Sequence, residues 1–204
     1  MIERPSQTRI VNLAAANVGS TSRITSLNDN SNLAASAREF WSMLVVEAFA
    51  FPWTFAISRA ELNAASDAPL FGYDYAYALP VDCLRWLPPS HEDGETYFDA
   101  VQEDGMLLTN TPPPLPIRYI SSAKADQVGL WPAYFVKAFV EELSAYLAEP
   151  VAQNGKLAEV KRQNAEALWR KAKRDDALAR GKQTRIGAVR NSRWATAGQR
   201  RARV

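Results

Sequence analysis

The sequence is poor in the residues that most enzymes and extracellular domains depend on. A single cysteine, Cys83, and a single histidine, His91, occur in 204 residues. One cysteine excludes an intrachain disulfide, and one Cys with one His cannot make a Cys/His structural zinc site. A metal-free fold in a reducing compartment is the expectation. Long apolar runs are missing too: the most apolar stretch, residues 40–57, is broken by Glu47 and Pro52. The opening Met-Ile-Glu-Arg-Pro-Ser-Gln-Thr-Arg puts charge where a secretory signal needs an apolar core. Both features predict a chain that is neither exported nor membrane-spanning. No Gly-x-x-x-x-Gly-Lys phosphate loop and no His-Glu-x-x-His pair is present, so nucleotide and zinc-hydrolase chemistry lack a sequence basis.

Charge of one sign is missing from one part of the chain. Residues 1–155 hold nine basic and eighteen acidic side chains, a balance of −9, whereas residues 156–204 hold fifteen basic and four acidic, a balance of +11. The overall +2 conceals this split. Residues 181–204 contain seven basic side chains and no acid, with only Ile186, Val189, Trp194 and Val204 as larger apolar anchors. Such a segment cannot bury enough surface to offset its ordering entropy, which predicts a folded body over residues 1–180 and an extended basic arm over 181–204 that orders only when bound.

Periodicity divides the body into helix, sheet and helix. After the N-cap candidate Ser6, Ile10, Leu13, Ala14 and Val18 fall at helical spacing until Gly19. Ser31 can cap a second helix in which Leu33, Ala37, Phe40, Trp41, Leu44, Val45 and Ala48 form one stripe, stopped by Pro52. Pro132 opens a third, with Phe135, Phe139, Leu143 and Leu147 at four-residue steps; Leu157, Val160, Ala165, Leu168, Trp169 and Ala172 mark a fourth. The spans are about 6–18, 32–50, 132–149 and 156–179, with the last two paired as an antiparallel hairpin.

Between them, residues 53–122 change to a two-residue period. Tyr73, Tyr75, Tyr77 and Leu79 alternate with smaller or polar residues, and stretches 98–102 and 106–109 flank Asp104-Gly105, a tight-turn pair. Residues 117–121 read as a further strand, approached by Pro112, Pro113, Pro114 and Pro116 as a stiff connector that no central strand could contain. The expectation is an α+β fold: amphipathic helices in a bundle with one small inserted antiparallel sheet.

Candidates for chemistry are few. His91 lies in a turn-like loop, Cys83 has an apolar neighbourhood suited to an inert thiol, and Glu92, Asp93, Glu95, Asp99, Glu103 and Asp104 crowd around the hairpin as a solvated acidic cluster that could otherwise serve a glycosidase. The basic arm fits either phosphate neutralisation or docking onto an acidic protein groove, with Arg and Trp as the usual anchors.

Four segments in order resemble the tail tubular protein A family, the head-to-tail adaptor of short-tailed bacteriophages. They are Ala50-Phe51-Pro52-Trp53-Thr54-Phe55-Ala56 with Arg59, Ala60 and Leu62; Tyr77-Ala78-Leu79-Pro80-Val81-Asp82-Cys83-Leu84-Arg85 with Phe71-Gly72-Tyr73 before it; Pro116-Ile117-Arg118-Tyr119-Ile120; and Phe135-Val136-Lys137-Ala138-Phe139 with Leu143 and Ala148. Phe51 stands where the family pattern has a polar residue. The resemblance spans residues 6–180. It implies a non-enzymatic virion protein without cofactor or metal, found at the neck of the particle and made in the host cytoplasm. Copies would form a ring, commonly dodecameric, between the portal protein and a downstream tail or nozzle protein, and DNA would pass through without specific binding. It also implies a structural role for Pro52, Trp53, Phe55, Tyr77, Pro80, Asp82, Cys83 and Arg85. The docking arm would then act through Arg185, Arg190, Arg193, Trp194, Arg200, Arg201 and Arg203.

Overall fold

The structure is a computed structural model and describes residues 4–89 and 98–180. Over these residues the chain is α+β, with five α-helices and two small antiparallel sheets.

The helices begin where side chains can satisfy free backbone donors. In α1 (Gln7–Asn17) Ser6 Oγ accepts from Arg9 N at 3.3 Å, and in α2 (Asn32–Ala48) Ser31 Oγ accepts from Ala34 N at 3.2 Å. Past the end of α1, Gly19 takes φ 79°, and the amides of Gly19 and Ser20 bond back to Ala16 and Ala15 at 3.0 Å each. This is a Schellman closure, which needs a residue that tolerates positive φ. A short helix, α3 (Ser122–Asp126), precedes α4 (Ala133–Leu147), which Pro132 opens, and α5 (Gly155–Ala179), capped by Asn154. Contacts between α4 and α5 run in opposite senses: Ala148 packs with Ala158, Glu141 pairs with Lys161 at 3.0 Å, and Tyr134 bonds Asp176 at 2.8 Å. The expected antiparallel hairpin is therefore present. Glu141 also accepts from Asn17 and Asn164 at 3.2 Å each, tying α1 to both helices.

Two helical stripes differ from the periodic reading. Leu13 and Val160 are 44% and 52% exposed, while Val11, Ala15 and Ala158 are buried.

The strands are β1 (Ile57–Leu62), β2 (Tyr75–Ala78), β3 (Cys83–Leu87), β4 (Val101–Glu103), β5 (Met106–Thr109) and β6 (Leu115–Ser121). They form two sheets, β1-β6-β3 and β2-β5-β4, where one was expected. The Asp104-Gly105 turn joins β4 to β5 with φ 46° and 73° at its two residues, the paired positive φ of a type I′ hairpin. The proline reading needs correction as well: Pro116 lies within β6, the central strand. It is tolerated because β3 pairs only with residues from Arg118 onward, so among the described residues β1 is the one strand paired at Pro116, opposite Glu61. Neither β1 nor β3 shows a clean alternation, and a register irregularity between Cys83 and Arg85 interrupts β3.

β6 sets the layering, because successive side chains point to opposite faces. Ile120, with Ile57 and Leu87, joins the helical core around Phe49, Trp53, Trp131, Phe135 and Phe139. Leu115, Ile117 and Tyr119 join a second cluster with Leu62, Tyr77 and Leu107. The sheet β1-β6-β3 thus lies between the helices and the sheet β2-β5-β4.

Candidate docking surfaces

The family-like residues from Pro52 to Arg85 lie at the exit of α2, in β2 and at the entry to β3. After α2 the chain turns at Pro52, and Trp53, 1% exposed, donates its indole N–H to Ala48 O at 2.7 Å, satisfying a carbonyl at the helix end. Its ring lies 5.2 Å from Phe135 on α4, 5.7 Å from Trp169 on α5 and 4.7 Å from Phe51. Phe55 continues the stack, with ring centres 5.1 Å from Phe135 and 5.8 Å from Phe49. Edge-to-face and tilted ring pairs of this kind add specific geometry to the area buried.

Beside this cluster lies a buried carboxylate absent from the sequence reading. Asp176, 1% exposed, accepts from Thr54 N at 3.1 Å, Thr54 Oγ1 at 2.6 Å and Tyr134 Oη at 2.8 Å. It thereby pins the last turns of α5 to the turn after Trp53. Burial, reinforced by the adjacent Asp176, pushes the Tyr134 phenol well above its ordinary range. Asp176 falls four residues after Ala172 on the buried stripe of α5, and that position was its sequence signal.

The second family-like segment joins the sheets. Tyr77 is fully buried and donates to Thr111 O at 2.7 Å; burial first, then neighbouring Tyr75, raises its pKa. Pro80 O accepts from Cys83 N at 2.8 Å and turns the chain into β3. Asp82 accepts from Tyr119 Oη at 3.1 Å and Ser121 Oγ at 2.5 Å, while its carbonyl accepts from Ser122 N at 2.8 Å. Arg85 Nη1 donates to Ala50 O at 2.8 Å, bracing β3 against the exit of α2. Burial raises the half-buried Cys83 thiol and the Asp82 charge raises it further, the opposite of what a reactive thiol needs.

A groove of about 710 Å³ lies between the α2 exit, α4 and α5. Phe51, Trp53, Tyr146 and Trp169 supply its aromatic lining, and Glu47, Glu142 and Glu166 face it together with Arg162, Arg170 and Lys173. The Lys173 ammonium sits 5.0 Å from the centre of the Phe51 ring, within cation–π range. Glu142 accepts a hydrogen bond from the Trp169 indole. Burial, helped by the charge of Glu47, raises the Glu142 carboxyl despite that bond. A groove of this composition suits the binding of a mixed apolar and charged protein segment. Because its lining joins the exit of α2 to α5, more than a hundred residues further along the chain, no local motif announced it.

Among the described residues the other sequence candidates form no cluster for chemistry. Among the described residues no group of three or more His, Cys, Asp or Glu side chains could hold a metal ion, and no helix is long and apolar enough to cross a membrane. Glu103 and Asp104 are exposed on the β4–β5 hairpin. His91, Glu92, Asp93 and Glu95 lie outside the described residues, as do all the arm residues from Arg185 to Arg203. In comparisons with known proteins, no family model matches the chain and no curated protein matches it significantly.

Proposed function

We propose that this chain is a structural virion protein, a head-to-tail adaptor that assembles as a ring between a portal and the tail of a short-tailed phage. The observation that carries this reading is the ordered set of four family-like segments, whose residues Trp53, Tyr77, Asp82 and Arg85 are each fixed by a hydrogen bond to another part of the body. That is the use an assembly subunit makes of such positions, since a rigid body is what a ring repeats. Charge supports the same reading. An acidic body repels phosphate and lets DNA pass, while the arm over 181–204, with seven basic side chains and no acid, is suited to grip an acidic protein surface.

In this reading the portal and a downstream tail or nozzle protein are the partners, and ring closure takes place on the portal. Images of the intact particle test it directly, because they give copy number, partner and arm path together. Density for this chain at the neck is the expected result; its absence from the particle overturns the proposal. A chain ending at Arg180 should fold but fail to join portal rings, and unchanged assembly would refute the role of the arm. Tight duplex binding with a steep salt dependence would instead favour a nucleic-acid role for the same arm.

A further inference from the structure

We infer that the loop between β1 and β2 is the contact by which one copy of this chain engages the next, with Leu70 and Phe71 entering the groove beside Trp169 of a second copy. Leu70 and Phe71 are 98% and 86% exposed, side by side at the tip. Their neighbours fix the tip's shape: Pro69 has a restricted φ, and Gly72 takes φ 86°, which other residues adopt only with strain. A preformed tip presenting two large apolar side chains is costly to leave in water and loses little entropy on docking.

The groove fits such an occupant in size and in character. Its volume of about 710 Å³ accommodates two side chains, and its lining of Phe51, Tyr146 and Trp169 is apolar. The basic side of the groove suits the tip as well. The tip is bracketed by exposed Asp67 and Asp74. Arg162, Arg170 and Lys173 are exposed at the groove and, at spacings of eight and three residues, share one side of α5. Glu47, Glu142 and Glu166 oppose these cations and Arg162 also pairs with Glu159 at 3.4 Å, so the Arg170 and Lys173 end of α5 is the part that an acidic tip would meet.

The loop and the groove belong to different layers. The loop runs from the middle sheet to the sheet β2-β5-β4, on the side away from the helices, whereas the groove is formed by the helical layer. With the two patches on different layers, loop into groove can repeat from copy to copy as a heterologous, head-to-tail contact, the kind that closes into a ring or continues as a filament. Two side chains and a charged rim bury much less than the roughly 1,200–2,000 Å² of a stable pair, so copies associate weakly until a template aligns them. This inference rests on the ring-forming part of the proposed function and identifies the surface that would make the ring.

The test uses the full chain with a benzoylphenylalanine photo-crosslinker replacing Phe71, irradiated at increasing protein concentration in a mixture of 15N-labelled and unlabelled copies. The expected result is covalent dimers joining labelled to unlabelled chains, with position 71 attached within residues 47–53 or 162–173. Reversing the groove charges (Arg170→Glu with Lys173→Glu) should reduce the yield severalfold, and adding Asp67→Lys with Asp74→Lys should restore it, a rescue that a purely structural role would not give. Cross-links only within one chain, attachment to the basic arm or another surface, or no dimer at any concentration overturns the inference. Particle images remain a separate test: a chain at the neck whose loop touches no neighbouring groove would refute the contact and keep the adaptor.

Discussion

Replacing Asp176 with alanine is the sharpest test of how α5 is held. The carboxylate is 1% exposed and accepts from the Thr54 amide, the Thr54 hydroxyl and the Tyr134 hydroxyl. Alanine leaves three donors without an acceptor, each costing about 1–3 kcal/mol if it stays dry. Removing the carboxylate also relieves the cost of burying a charge, which offsets part of the loss. A net destabilisation of about 3–5 kcal/mol follows, a large share of the 5–15 kcal/mol typical of a folded domain. Asp176→Asn retains one acceptor oxygen but adds two donors, so its cost should be intermediate. Combining Asp176→Leu with Thr54→Val and Tyr134→Phe removes the stranded hydroxyls together and should recover part of the stability. Urea unfolding followed by tryptophan fluorescence reads these changes, with Trp53 packed against Trp169 close by. An Asp176→Ala protein within about 0.5 kcal/mol of the parent would refute the assignment of Asp176 as the anchor.

Other outcomes follow from the same packing. The Tyr134 phenol titrates above the ordinary 10.0, so the unfolded chain loses that proton first and stability falls as pH rises past this value. Tyr134→Phe should flatten that alkaline decline in urea titrations, only partly because Tyr77 and Tyr119 are raised too. The Glu142 carboxyl, raised above 4.5, binds its proton more tightly when folded, and acidification toward that value adds stability through this group. Glu142→Gln should remove the gain while leaving the protein as stable or more stable at neutral pH. Phe135, fully buried among Phe49, Trp53, Phe55 and Trp131, should cost about 3–5 kcal/mol as alanine, seen as a lower Tm. Phe71→Ala should change stability by less than about 0.5 kcal/mol, because its side chain packs on little of its own chain.

The sequence by itself determined the local elements. Ser6, Ser31 and Pro132 marked helix starts, the four-residue spacing from Phe135 to Leu147 marked a buried face, and Asp104-Gly105 marked a hairpin. These depend on one residue's conformation or on neighbours three or four positions apart, so they are written locally. The division of charge between residues 1–155 and 156–204 was likewise legible without any fold. Tertiary structure alone decided that there are two sheets, that Pro116 belongs to a central strand where its neighbour has ended, and that Leu13 and Val160 face solvent. It also decided what Asp176 and Glu142 do. Asp176 meets Thr54 across 122 residues of chain and Glu142 meets Trp169 across 27. No repeat in the sequence encodes such a distance, because the partner of a buried polar group is chosen by which layers come to face each other, and that choice is made only when the whole core closes.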